Sequence, residues 1–256
     1  MQMRLDKFLA ECGCGSRSDV KKLIRQGRVC VNGTPAAKPE QKTEAGTDEV
    51  KLDGRLLVWQ QFRYIMLNKP AGCVTAVSDS RYPTVMSFLK EENAVPDGTE
   101  APVCKDLAPA GRLDADTEGL LLITNDGALV HRLLSPAGHV NKTYMARVRG
   151  NVDAEDVEAF AGGLEYGEKK PALPAQLEIL SAGMDEEGPV CETLMTICEG
   201  KYHQVKRMFQ ARGKEVIFLR RLSMGPLKLD ENLRPGQWRY LTEQEIQELA
   251  NAGKEE

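Results

Sequence analysis

Gly111-Arg112-Leu113-Asp114-Ala115-Asp116-Thr117-Glu118-Gly119-Leu120-Leu121-Leu122-Ile123-Thr124-Asn125-Asp126-Gly127 runs from a charged loop into an apolar segment and out through a turn. Leu120 to Thr124 reads as a buried strand closed by Asn125-Asp126-Gly127. A charged loop feeding such a strand is a frequent site geometry, because loops on a rigid scaffold carry function.

Downstream, Lys142 to Arg149 alternates as a strand. Asp153 to Ala161 forms a helix stopped by Gly162-Gly163, and Thr193, Met195 and Ile197 mark a further strand. His203 to Arg212 is helical, burying Val205, Met208 and Phe209, while His203, Lys206 and Gln210 share another face by three- and four-residue spacing. Thr242 and Glu245 make a capping box for the last helix. Upstream, Tyr64-Ile65-Met66-Leu67 is a short strand halted by Asn68-Lys69-Pro70-Ala71-Gly72. Thr84 caps a short helix to about Leu89, and Glu91 to Pro109 is a polar surface loop. Strands with few helices in irregular order, and no Gly-x-Gly-x-x-Gly turn, predict an α+β fold. Folds that bind nucleotide cofactors are thereby disfavoured.

The N-terminus is organised separately. Leu5, Phe8, Leu9 and Cys12 have helical spacing, and Gly13-Cys14-Gly15 ends that helix. Ser16 with Asp19 opens a second helix from Arg17 to about Gln26 that buries Val20, Leu23 and Ile24. Arg28 to Val31 is a strand, and Asn32-Gly33 is a two-residue hairpin turn. Lys51-Leu52-Asp53-Gly54 closes the unit. The expected division is 1–55, a linker at 56–63, and a larger domain over 64–256.

With 256 residues, 41% hydrophobic and 28% charged, the chain suits one large or two unequal globular domains. No apolar run nears the roughly 20 residues of a membrane span, and no secretion signal is legible, so a cytoplasmic protein is expected. Seven scattered cysteines without a C-x-x-C pair read as reduced thiols. Three histidines and no clustered cysteines leave a zinc site without material, so no metal is expected. The net charge of −4 hides segregation. Met1 to Arg28 holds seven Lys or Arg against three acids, and Glu199 to Arg221 seven against two. Asp153 to Gly188 holds ten acids against two lysines. Basic patches attract phosphate, and the acidic block suits a solvated face turned away from a polyanion.

Arg4, Lys7, Arg17, Lys21, Lys22, Arg25 and Arg28 crowd the small N-terminal unit. Arg4-Leu5-Asp6-Lys7-Phe8-Leu9, Ser16-Arg17 and Gly27-Arg28-Val29-Cys30-Val31-Asn32-Gly33 resemble an S4-like RNA-binding domain. The resemblance covers about the first 55 residues and makes Arg4, Lys7, Arg17, Lys21, Arg25 and Arg28 candidate RNA contacts. Four further segments follow in order: Asn68-Lys69-Pro70-Ala71-Gly72, Gly111 to Leu120, Lys142-Thr143-Tyr144, and Glu199-Gly200-Lys201-Tyr202-His203-Gln204-Val205-Lys206-Arg207-Met208-Phe209. Together they resemble the ribosomal small-subunit pseudouridine synthase family over nearly the whole chain.

That resemblance implies a mixed, mainly antiparallel sheet and isomerisation of a specific uridine in 16S rRNA during small-subunit maturation. It implies no cofactor, because moving the base from an N1 to a C5 link needs no redox step and no external energy. The expected partner is 16S rRNA or a small-subunit assembly particle, with no membrane and no nucleotide cofactor, the protein acting as a monomer. Asp114 matches the catalytic aspartate, Lys206 the cation that pairs with it, and Tyr144 the aromatic that stacks on the target base. Arg112 matches a residue that fills the gap or holds phosphate after base flipping. Lys69, His203, Arg207, Arg220 and Arg221 fall where phosphate or sugar contacts line the cleft.

Each residue also has a plainer reading. Asp114 suits a turn, Tyr144 strand packing, Lys206 a helix surface, and Arg112 a loop ion pair with Asp116. Competing functions are a synthase for 23S rRNA or tRNA, a non-catalytic RNA-binding ribosome assembly factor, and a nucleoside hydrolase using Asp114 and Asp116. The last ranks lowest, since neighbours two apart on the extended loop are expected to point opposite ways.

Overall fold

A computed structural model describes residues 1–94, 106–135 and 138–253, so Glu91 to Pro109, expected as a surface loop, lies largely outside the described residues. The chain divides into two compact units, the first containing Met1–Arg63 and the second beginning at Tyr64.

In the first unit the order is β1 (Gln2–Arg4), α1 (Leu5–Glu11), α2 (Arg17–Arg25), β2 (Val29–Val31), β3 (Thr34–Pro35), β4 (Lys42–Glu44), β5 (Val50–Leu52) and β6 (Arg55–Leu56). Ser16 and Asp19 cap α2 reciprocally, each side chain accepting from the other's amide. Asn32 and Gly33 turn β2 into β3 at φ 51° and 77°, the left-handed pair that such a tight turn requires. Leu5, Phe8, Leu9, Val20 and Ile24 bury against Val29, Val31 and Val50. Residues 56–63, expected as a linker, are in part structured into this unit. Leu57 and Trp59 pack on its core, the Leu57 amide donates to the Val50 carbonyl at 2.8 Å, and Trp59 Nε1 donates to Glu11 at 2.7 Å. Two apolar side chains so close to a small core gain more by covering it than by staying in water.

The second unit contains β7 (Tyr64–Lys69), β8 (Ala108–Pro109), β9 (Glu118–Thr124), α3 (Gly127–Leu134), β10 (Lys142–Arg149), α4 (Ala154–Gly162) and β11 (Gln176–Asp185). It continues with β12 (Gly188–Ile197), α5 (Gln204–Ala211), β13 (Glu215–Met224), β14 (Leu227–Lys228), β15 (Trp238–Tyr240) and α6 (Glu243–Asn251). The strands form one nine-stranded sheet in the order β11-β12-β10-β13-β9-β7-β15, with β14 beside β13 and β8 beside β9. The pairings are antiparallel except β9 with β13, which run parallel. The fold is α+β.

Central β9 has Leu120 to Ile123 wholly buried, because both faces are covered. On one face Leu120 and Leu122 join Leu129 and Leu133 of α3 and Leu249 of α6. Elsewhere Phe160 of α4 meets Phe209 of α5 with ring centroids 5.0 Å apart. Asn125-Asp126-Gly127, expected as a simple turn, also starts a helix: Asp126 caps α3 by accepting from the Leu129 amide at 3.0 Å. The helix expected to about Leu89 is a single 3-10 turn, Val85–Phe88, without a side-chain cap from Thr84.

The acidic block is not uniformly a solvated face. Asp156 of α4 is fully buried, accepting from Arg212 at 2.8 Å and from Lys214 at 2.9 Å. Burial opposes its charge, but the two cations and the Asp153 amide hold its carboxyl below the ordinary value. Among the described residues no helix is long and apolar enough to cross a membrane. The six described cysteines are unpaired thiols, and Cys104 lies outside the described residues.

Candidate active site

Asp114 sits in the loop that enters β9, and that loop is fastened from below by the segment following β7. Lys69, the last residue of β7, is wholly buried, and its Nζ donates to the carbonyls of Pro70 at 3.0 Å, Ala115 at 3.2 Å and Thr117 at 2.8 Å. Burial pulls its ammonium below the ordinary value, against the negative groups nearby that pull the other way. The Gly72 amide donates to the Ala115 carbonyl at 2.8 Å. Gly72 has φ 84°, which suits a glycine at the turn after Pro70. Thr75 Oγ1 donates to the Leu113 carbonyl at 2.7 Å, with the Leu113 amide 3.2 Å from the same oxygen. The Asn68-Lys69-Pro70-Ala71-Gly72 motif thus holds the loop just after Asp114, and Thr75 holds it just before. Lys69, expected to touch RNA, is a buried tie.

The cations come from the far half of the sheet. His203 precedes α5 in a left-handed conformation (φ 50°, ψ 31°), an uncommon state for a residue with a side chain. The helix therefore starts at Gln204 and not at His203. His203 Nε2 still reaches Asp114 Oδ1 at 3.4 Å, and Lys206 Nζ lies 3.3 Å from Oδ2 of the same carboxylate. Lys206 also meets Asp116 Oδ1 at 2.6 Å. Partial desolvation works against the charge on Asp116, but Lys206 and His203 hold its carboxyl below the ordinary value. One lysine thus bridges two carboxylates, with a histidine on the other oxygen of Asp114. The loop bends enough for Asp114 and Asp116 to share a cation.

Tyr144 is buried in β10. Strand registers place it opposite Arg221 of β13, Arg221 opposite Gly119 of β9, and Gly119 opposite Lys69. A transverse row of the sheet therefore runs from Tyr144 to Lys69 beneath the Asp114 loop. No hydrogen bond, ion pair or ring contact joins Tyr144 to Asp114 or Lys206 among the described residues. Arg221 is buried and its Nε donates to the Leu120 carbonyl at 2.8 Å, so it braces β9 instead of facing a cleft. A Cβ added at Gly119 (φ 99°) would lie 2.3 Å from the Arg221 carbonyl oxygen, so the parallel strands close only over a glycine.

Arg112 is exposed and forms no ion pair with Asp116, whose partner is Lys206. Arg207 is engaged by Glu168, by the Gly167 carbonyl at 3.1 Å and by the ring of Tyr166 at 5.2 Å, which makes it a strut for the Tyr202 segment. Among the described residues no three His, Cys, Asp or Glu side chains converge as a metal site.

In the first unit the basic residues separate into two groups. Arg4 forks onto Asp6 at 3.0 and 2.8 Å and reaches Glu40 at 3.2 Å. Arg28 pairs with Asp53 through Nε at 2.9 Å, and Lys7 lies 3.6 Å from Glu11. Their charges are largely spent inside the protein. Arg17, Lys21 and Arg25 stand one helical turn apart along α2 and form no ion pair among the described residues. That stripe is a run of free positive charge along α2.

Comparison with known proteins agrees with this arrangement. The family described as RNA pseudouridylate synthase matches residues 63–211, and the S4 domain family matches residues 3–50. An uncharacterized RNA pseudouridine synthase of Bacillus subtilis is 43% identical, the alignment covering 95% of this chain and 97% of that one. Ribosomal small subunit pseudouridine synthase A of Haemophilus influenzae is 42% identical over 96% and 99% of the two chains. A crystal structure of a pseudouridylate synthase superposes with a TM-score of 0.62 at 41% identity, covering 96% of this chain and 99% of that one.

Proposed function

The chain belongs to the RNA pseudouridylate synthase family, and from that membership we propose that it isomerises one uridine of 16S rRNA during small-subunit maturation. The proposal includes a cytoplasmic monomer that acts on the rRNA or on an assembly particle, with the first unit anchoring RNA and the second carrying the chemistry. The observation that carries it is the Asp114 carboxylate, borne on a loop that Lys69 and Gly72 tie through the Ala115 carbonyl and faced by His203 and Lys206.

The reaction breaks the N1–C1′ bond, turns the base, forms a C5–C1′ bond, and moves one proton from C5 to solvent while N1 gains one. Nothing is oxidised or reduced. Capture of C1′, attack on C6 of the base and removal of the C2′ proton each need a carboxylate held against the target nucleoside, which is the role assigned to Asp114. Lys206 supplies positive charge where the carboxylate must stay charged in a partly desolvated pocket, and His203 lies against its other oxygen. Lys206 stands where a guanidinium would give a two-pronged contact, and as an ammonium it divides itself between Asp114 and Asp116 instead. Tyr144 is assigned the face of the extruded base, since a uridine within folded RNA must leave its stack to be reached. Arg112, exposed beside the loop, is assigned a phosphate.

Tritium release from [5-³H]uridine-labelled 16S rRNA, with 23S rRNA and tRNA in parallel, tests the reading. Release from 16S rRNA alone is expected. Release from another RNA would keep the chemistry and overturn the target. Tight binding without release from any RNA or assembly particle would leave an assembly factor in place of an enzyme.

A further inference from the structure

Resting on the pseudouridine synthase reading, we infer that Tyr202 is a stacking platform for an unpaired nucleobase flanking the target uridine. Its ring is 71% exposed, yet it is not loose. One face lies against the His203 imidazole, with centroids 3.8 Å apart and planes 16° from parallel. His203 in turn touches Asp114. Tyr202 therefore stacks on a ring whose Nε2 edge meets the Asp114 carboxylate, and its outer face is open to solvent.

The backbone beneath that ring is fixed. Gln204 accepts from the Lys201 amide at 2.9 Å and donates to Glu199 at 2.7 Å, while Glu199 also accepts from the Leu173 amide at 2.9 Å. Arg207 Nη1 reaches the Tyr202 carbonyl at 3.4 Å and is itself held by Glu168. His203 is kept left-handed within this frame, which turns both rings the same way. An exposed aromatic so held loses little freedom on binding, and tyrosine has few rotors to freeze.

The occupant follows from the chemistry. Extruding one base leaves its neighbours with an uncovered face close to the site, and a pre-set aromatic plane replaces the lost stacking without reading sequence. Lys201, Lys206 and Arg207 are each balanced by an acid, Glu199, the Asp114–Asp116 pair and Glu168, so stacking and not free positive charge carries the contact. The platform adds a subsite next to the target, where it contributes to ground-state binding more than to the barrier.

The test is steady-state tritium release by Tyr202→Ala, Tyr202→Leu, Tyr202→Phe and Tyr202→Trp. Base–aromatic stacking converts to about a fivefold to hundredfold change in affinity. Tyr202→Ala and Tyr202→Leu are expected to raise KM about tenfold with kcat within twofold, while Phe and Trp keep KM at or below the wild-type value. Leu retains apolar bulk and guards against a misfolded Ala variant. An unchanged KM in Ala and Leu would overturn the inference. So would a fall in kcat alone, which would make Tyr202 only a buttress for His203, or a Phe variant as poor as Ala, which would shift the role to the hydroxyl. Wild-type protein that releases no tritium from any RNA removes the underlying reading, and the inference with it.

Discussion

Lys69 Nζ donates to the Thr117 carbonyl across 2.8 Å at the root of the loop that carries Asp114. The same ammonium serves two further carbonyls, so a single buried charge closes the loop without any carboxylate. Lys69→Met keeps the chain length and removes the donors. Hydrogen bonds from a charged group contribute about 1.5–3 kcal/mol, and the Thr117 carbonyl that loses its donor is buried. Urea unfolding is expected to show a loss of about 2–3 kcal/mol, and tritium release a fall in kcat with RNA affinity retained. A variant as stable and as active as wild type would mean that the loop holds itself.

Asp114→Asn changes one oxygen for an amide in the same space. We predict that it abolishes tritium release and leaves RNA affinity within about twofold of wild type, because affinity resides mainly in phosphate contacts. Filter binding beside the activity assay separates the two quantities. If affinity collapses together with turnover, Asp114 is a structural turn residue and the catalytic assignment fails.

Along α2, Arg17, Lys21 and Arg25 lack internal partners, whereas Arg4 and Arg28 are spent on Asp6 and Asp53. Replacing the three α2 cations with Gln should weaken RNA binding and reduce the slope of log K against log salt by about 2–3. Replacing Arg4 and Arg28 with Gln should leave that slope nearly unchanged. Equal effects from both sets would erase the distinction drawn from the ion pairs.

Asp156 gives a stability test with a defined sign. Its carboxyl is held below the ordinary value of 3.8 in the folded chain. It therefore stabilises the fold fully above that value, and the contribution disappears as pH falls through the lower folded value. Asp156→Asn strands Arg212 and Lys214 and should cost about 3 kcal/mol at pH 7. Below about pH 4 the difference from wild type should shrink. A gap in denaturant stability that stays constant from pH 7 to 3 would count against the ion-pair account.

Much of this arrangement is legible in the chain because its signals are local. The Ser16–Asp19 and Thr242–Glu245 boxes, the Asn32-Gly33 turn and the alternation of β10 depend on neighbours a few residues apart. The convergence of Asp114 and Lys206 followed from motif resemblance, since no local pattern links residues so far apart. Lys69 falls among the expected phosphate or sugar contacts of the cleft, but its charge is turned inward onto three carbonyls. Its position at the end of a strand buried over five consecutive residues was the available clue. β11 escaped notice because it is largely exposed and its sequence lacks clean alternation. His203, read as the first helical residue, is instead a left-handed cap, yet it still meets Asp114 together with Lys206.

The parallel seam between β9 and β13 registers through only two residue pairs, Arg220 with Glu118 and Arg221 with Gly119. Asp114 and Asp116 stand on one side of it, His203 and Lys206 on the other, with ninety residues of chain between Asp116 and Lys206. During synthesis the carboxylates therefore leave the ribosome well before their counterions exist. A truncated or half-folded chain can display an RNA-binding unit but not a charged and balanced pocket. Tethering to RNA precedes the power to alter it, and turnover becomes a report that the last strands have joined.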